Sequence, residues 1–229
     1  MEAGPPPAGP DGPLSDSGPA APVRALAAAR AALTRIALRR AGELRAQAPA
    51  TAERLLWVGC ALAPAFGDAH VRLVELRRDR GDHAGTLAAG RAAAQRFPDS
   101  PDAWMLLAGA CLTAFRQDEA LAAYERAITI EERPDALTAA GELYARAGRF
   151  ADAAARFARA HAAGAGPDAL LANARALSAA GDRAAADAAL ALWADRMPDG
   201  AQRLEEERAK LDRTPASPIL KDGPGTTQR

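Results

Sequence analysis

PDAWMLLAGACLTAFRQDEALAAYERAITIEER, residues 101–133, is the stretch from which the rest of the chain can be read. It opens on Pro101-Asp102. Proline is pre-organised for a first helical turn, and an aspartate beside it favours a helix N-terminus through the dipole. The same pair returns at Pro134-Asp135 and Pro167-Asp168, each 33 residues further on. A period of this size marks a repeat architecture. Midway through each period lies a second break, Gly148-Arg149 and Gly181-Asp182, with Gly81-Asp82 continuing the series upstream. Each period therefore reads as helix, tight turn, helix. In 101–133 Phe115-Arg116 replaces the glycine pair, which predicts a slightly longer or tighter turn, with Asp118-Glu119 restarting the helix.

Composition agrees with an all-helical reading. Apolar residues make up 49% of the 229, yet aromatics only 4%, so alanine supplies much of the apolar fraction. A core built from alanine requires backbones to approach closely, which suits helix on helix. The 29 basic residues balance 29 acidic ones, an argument against a general nucleic-acid or membrane-surface binder. Cys60 and Cys111 form no disulfide framework and no metal spacing. No apolar signal core opens the chain and no run approaches the length of a membrane span, so a cytoplasmic protein is expected.

Aligned on those prolines, the segments resemble tetratricopeptide repeats. The best unit carries Trp104, Leu107 and the small Ala108 in its first helix, then Ala120, Tyr124 and Ala127 in its second. The next has Leu137, Ala140, Gly141, Tyr144, Ala153, Phe157 and Ala160. A third has Leu170, Ala174, Leu177, Ala186 and Leu190, closing on Pro198. Upstream, 67–100 offers Leu73, Val74, Ala93 and Pro98, and 33–66 more faintly Leu56, Gly59 and Pro64. Small residues are needed where two helices cross closely, and a large one fills the hollow between hairpins. The resemblance implies an all-α, right-handed superhelical solenoid of antiparallel helical hairpins.

The expected organisation follows. Residues 1–21 read as a disordered Pro/Gly/Ala-rich tail. Residues 22–66 form N-terminal capping helices and a degenerate repeat. Four repeats occupy 67–100, 101–133, 134–166 and 167–200, a capping helix 201–213, and a second disordered tail 214–229. Trp193 falls where other units have Gly59, Ala93, Ala127 or Ala160, so a further hairpin could not pack there in the usual way. A closing helix would bury Leu204 and Leu211 and turn Glu205-Glu206-Glu207 outward. Asn173, at a place held by Leu107 and Ala140 elsewhere, should bond a neighbouring backbone group.

The signs of chemistry are weak. Neither Lys210 nor Lys221 sits in a phosphate-cradling loop, and neither Ser100 nor Ser178 in a nucleophile elbow; they read as a turn residue and a helix-surface residue. His70, His83 and His161 cannot easily converge, whereas a metal needs at least three ligands. No catalytic residue, metal, nucleotide or other cofactor is expected. Six arginines stand against one acid, Glu43, between Arg24 and Arg45. With Leu26, Leu33 and Ile36 they make an amphipathic capping helix; docking of an acidic partner, nucleic acid or anionic membrane is the alternative.

In tetratricopeptide arrays the first helices line a concave groove for peptides or protein segments. Carried over by register, the groove here comprises Val71, Glu75 and Arg78; Met105, Gly109 and Leu112; Thr138, Glu142 and Arg146; Leu171, Arg175 and Ser178. Its apolar middle flanked by charge suits an amphipathic helix or an extended segment with acidic groups. The chaperone-binding clamp of some family members has no counterpart, since Met105, Gly109, Thr138 and Glu142 fill those places. The expected role is a scaffold or adaptor for another protein. An in-trans recognition module of a glycosyl- or sulfotransferase system is the second reading, and a nucleic-acid-linked regulator the third.

Overall fold

The computed structural model describes residues 21–213 other than Pro64 and Phe66; the two tails expected to be disordered lie outside the described residues, save that the first helix already begins at Ala21. Among the described residues there are eleven helices and no strand. They are α1 Ala21–Leu44, α2 Pro49–Leu62, α3 Asp68–Asp79, α4 His83–Arg96, α5 Pro101–Thr113, α6 Gln117–Ile130, α7 Pro134–Arg146, α8 Phe150–Ala162, α9 Pro167–Ala179, α10 Arg183–Ala194 and α11 Gly200–Arg213. Each helix packs mainly on its neighbours in sequence. The chain is thus an all-α solenoid of antiparallel hairpins.

Starts and stops are set locally. Pro49, Pro101, Pro134 and Pro167 occupy first-turn positions, where a missing N–H costs nothing. Ser100 caps α5 by accepting from the Ala103 amide at 3.3 Å, and Asp82 and Asp182 cap α4 and α10 likewise. In the α3–α4, α5–α6, α7–α8 and α9–α10 hairpins the first helix ends in a left-handed residue. At Gly148 (φ 73°) the glycine N–H reaches the Ala145 carbonyl at 3.0 Å and the Arg149 N–H the Tyr144 carbonyl at 2.9 Å. That pair of bonds closes a Schellman motif.

Phe115 makes the same turn without glycine. Its φ is 59°, and Phe115 and Arg116 donate to the Leu112 and Cys111 carbonyls at 3.1 and 2.9 Å. The turn is neither longer nor tighter than its sisters. The chain instead accepts a phenylalanine in the left-handed region, with its side chain 86% exposed.

Hairpins stack through small residues. Ala108, Ala120, Ala127, Ala140, Ala153, Ala160, Ala174 and Ala186 are completely buried. At Gly141 an added Cβ would lie 2.8 Å from the Phe157 ring, and at Gly90 2.9 Å from the Ala110 Cβ. Gly90 stands one repeat before Tyr124, so α4 has no large side chain there and closes directly onto α5.

At the end of the array Trp193 is 1% exposed beneath α11, which starts at Gly200, one 33-residue period after Pro167. It sits where the first helix of another repeat would, and a Cβ on Gly200 would collide with the Ala194 carbonyl. Leu211 is buried and Leu204 half-buried against Trp193, Leu190 and Leu170. Glu207 does not face outward with Glu205 and Glu206. It is buried, one period after Ala174. Asn173 is buried too, but its Oδ1 meets no donor in the protein, so the expected backbone bond for that oxygen is not made.

The turn geometry gives opposite signs for two substitutions. A non-glycine residue in the left-handed region costs about 1 kcal/mol. Phe115→Gly should therefore raise unfolding stability by about that amount in urea titrations, and Gly148→Ala lower it by about as much. Equal effects of the same sign at both positions would refute this account of the turns.

Candidate functional site

The first helices α3, α5, α7 and α9 carry the residues expected to line a groove, and the structure treats them unequally. Val71, Met105, Gly109, Leu112 and Leu171 are half-buried, and Met105 and Leu112 pack against the central cluster around Ala108, Tyr124 and Leu137. The Thr138 hydroxyl donates back to the Pro134 carbonyl at 2.8 Å. Ser178, expected on a helix surface, is buried and accepts from the Arg183 guanidinium at 3.2 Å. Arg78 is exposed and 3.8 Å from Asp79.

Three of the expected residues come together. Glu142, Arg146 and Arg175 rim a cavity of about 430 Å³ between α7 and α9, whose apolar lining includes Ala145, Phe150, Phe157, Ala172 and Ala176. Glu142 and Arg146 are more than half exposed and only loosely paired at 3.6 Å. A second cavity of about 250 Å³ lies between α1 and α3, where Glu75 meets Gly42, Arg45, Arg72, Leu56 and Leu76. Arg45 is paired with Asp79. Phe150 and Arg72 were not legible as lining residues: Phe150 opens a second helix, and Arg72 sits beside the register position assigned to the groove.

Arg175 is already engaged. It donates to Glu207 at 2.8 Å, and Lys210 holds the other oxygen at 2.7 Å. Burial alone would raise the Glu207 carboxyl. The hydrogen bonds from Lys210 and Arg175 together outweigh it, and the net direction is down. Arg175 therefore joins the cavity rim to α11.

The second helices look different. Successive second helices are cross-linked by Arg91–Glu119 at 2.6 Å and by a bidentate Arg156–Glu125 pair at 2.8 and 3.0 Å. Arg159 pairs with Glu132 at 2.6 Å. A cavity of about 340 Å³ opens beside Trp57, Cys60, Leu73, Ala89 and Ala93, but its two arginines are committed. Arg77 holds Glu53 and the Gly85 carbonyl, and Arg96 the carbonyls of Cys60, Ala61 and Ala63. Burial pushes the Cys60 thiol up to about 11, despite the arginines nearby. His70 is buried edge-on to Phe97 in α3, His83 is exposed in α4 and His161 half-buried in α8. Among the described residues no three His, Cys, Asp or Glu side chains converge. No helix among them is long and apolar enough to cross a membrane.

No family model and no curated protein matches this chain. Solved structures do. MamA is 19% identical with a TM-score of 0.57, the match covering 81% of this chain and 98% of that one. YrrB, described as a tetratricopeptide-repeat protein with an unusual peptide-binding site, is 16% identical at TM-score 0.55, covering 74% and 90%. Yeast Tom70 is 16% identical at TM-score 0.59, covering 78% of this chain and 40% of that one. These likenesses establish the tetratricopeptide-repeat fold.

The buried Glu207 makes the cap pH-dependent. A lowered folded pKa means that its contribution is present above the unfolded carboxyl pKa near 4.3 and is lost as pH falls through the folded value. Glu207→Gln should thus cost roughly 1 kcal/mol at pH 7, its partners being half exposed, and progressively less as pH falls below the unfolded carboxyl pKa near 4.3. Denaturant titrations across that range measure it; a pH-independent difference would contradict the ion-pair account.

Proposed function

We propose that the concave face of α3, α5, α7 and α9 binds a peptide or protein segment bearing apolar and acidic groups, so that the chain serves as a cytoplasmic interaction scaffold without a catalytic centre of its own. The observation that carries this is the α7–α9 cavity. It combines an apolar floor of Phe150, Phe157 and alanines with Arg146, a cation held only loosely by Glu142. Arg91, Arg156 and Arg159 on the second helices offer no such opening, since carboxylates of other repeats already neutralise them. A loosely held cation beside apolar surface gives an incoming acid a partner at small desolvation cost. The peptide-binding site named for YrrB, a protein of the same fold, supports the class of ligand.

Arg175 is unsuitable as a probe because its loss would also unpin α11. The test uses Arg146 alone. Peptides selected from a random displayed library on the wild-type protein should combine an acidic residue with apolar neighbours. Arg146→Glu should weaken their binding at least about tenfold, equivalent to about 1.4 kcal/mol. Surface charge reversal of this kind changes stability by about 0.5 kcal/mol or less. The outer-face pair Arg126→Glu with Arg159→Glu should bind normally. Loss of binding in the outer-face pair with retention in Arg146→Glu would move the site off the concave face.

A further inference from the structure

We propose that α1 pairs antiparallel with α1 of a second copy, closing the N-terminal end of the array as a two-fold dimer. The helix has three distinct faces. Ala37 and Ala41 are buried, and Leu38 and Leu44 half-buried, on the side towards α2. Arg30 reaches the carbonyl of Leu62, the last residue of α2, at 3.2 Å, so residues 22–29 run on past the end of α2 and are exposed throughout. Arg24, Arg35 and Arg39 share a second face. The third carries Leu26, Ala29, Leu33 and Ile36 in alternating three- and four-residue steps, the spacing of a coiled-coil seam. The next step is Arg40, paired with Glu43 at 2.7 Å and level with Pro22 of an antiparallel copy. Leu26, Leu33 and Ile36 are 62%, 51% and 56% exposed.

The repeat register shows why this face is not a place for one more hairpin. Ile36 lies one period before Ala69, which is buried beneath α2, where a Cβ on Gly59 would come within 3.4 Å of it. Ala103, Ala136 and Ala169, at the corresponding places of α5, α7 and α9, are likewise buried. Hairpin stacking needs an alanine there, and α1 presents an isoleucine. A larger side chain holds a partner helix further off, at the spacing of a leucine seam. The capping helix of a second copy is no match, because Glu205 and Glu206 are exposed on it.

The stripe is complementary to itself. In an antiparallel pair Leu26 lies level with Ile36 of the copy, and Ala29 with Leu33, large beside large at the ends and small beside large between them. Arg24, Arg35 and Arg39 then fall level with Leu38, Ala27 and Val23 of the copy. A parallel in-register pair would set every arginine beside its own counterpart. The whole chain's net charge is zero, but each α1 carries five arginines against Glu43, so the pair forms against a local repulsion that salt screens. A seam of three turns falls below the roughly 1,200 Å² of a standard interface, so the dimer should be weak, with a dissociation constant of about 10 µM.

Sedimentation velocity on the full chain decides the matter. Between about 1 and about 200 µM the mass should rise from one copy towards two. Leu33→Glu with Ile36→Glu should stay monomeric with unchanged helicity and melting, while Leu192→Glu, another exposed apolar site, should dimerise as wild type. In a Cys60→Ala background, Ala29→Cys mixed with Leu33→Cys should oxidise to a cross-linked pair faster than either variant alone. A monomer at every concentration, a dimer that survives the double glutamate, or preferential Leu33→Cys self-linking would overturn the proposal. So would a monomeric wild type that binds phosphatidylserine vesicles or duplex DNA and loses that binding in the double glutamate. None of these outcomes bears on the concave cavity, which Arg146→Glu tests separately.

Discussion

Every other feature of this molecule depends on helix axes coming close enough that only alanine or glycine fits between them. Ala108, Ala120, Ala127, Ala153 and Ala160 have no exposed surface, and Gly141 presses its backbone against the Phe157 ring. Each such contact buries little area by itself. Closely approaching backbones bring many atom pairs to optimal separation at once, and those small attractions add up. The tolerance is correspondingly low, because an extra methylene in a full core forces neighbours off their rotamers. A solenoid whose neighbours touch only neighbours then needs this geometry repeated faithfully, and the 33-residue period is how the chain repeats it.

The same constraint shapes the surfaces. Small residues between hairpins allow second helices to sit near enough for arginine–carboxylate pairs such as Arg156–Glu125 to bridge them. Arg91, Arg156 and Arg159 are thereby neutralised by the stacking itself. Between first helices there are cavities that alanines do not fill, and Phe150, Phe157 and Arg146 line the one between α7 and α9. At the two ends the rule is broken in opposite ways. Glu207 takes a place that Ala174, Gly141 and Ala108 hold inside the array, and it is tolerated because Arg175 and Lys210 compensate its charge. Ile36 takes the place of an alanine at the other end and is left uncovered by α2.

Much of the fold was legible in the chain itself. The Pro-Asp pairs, the midway glycines and the small–large–small series fix helix starts, turns and hairpin contacts, because each is a local requirement repeated at a constant interval. What the pattern could not deliver was the behaviour of its exceptions. Phe115 reads as a disrupted turn, yet the two hydrogen bonds from the Phe115 and Arg116 amides stabilise a left-handed phenylalanine there. Trp193 reads as the end of the hairpins, but not how a closing helix reaches it: α11 starts on Gly200, whose missing side chain lets the helix pass the Ala194 carbonyl.

By itself, then, the sequence determined the all-α class and the hairpin register, since these follow from residue size and backbone preference over short spans. Tertiary structure alone decided which groove residues are open. Ser178 and Arg175 occupy groove positions by register, but Arg183 covers the first and Glu207 engages the second, from helices that begin five and 25 residues further along the chain than those positions. The physical reason is one of range. A repeat register reports where a side chain leaves its own helix, whereas accessibility and free charge depend on what another helix brings to the same point in space.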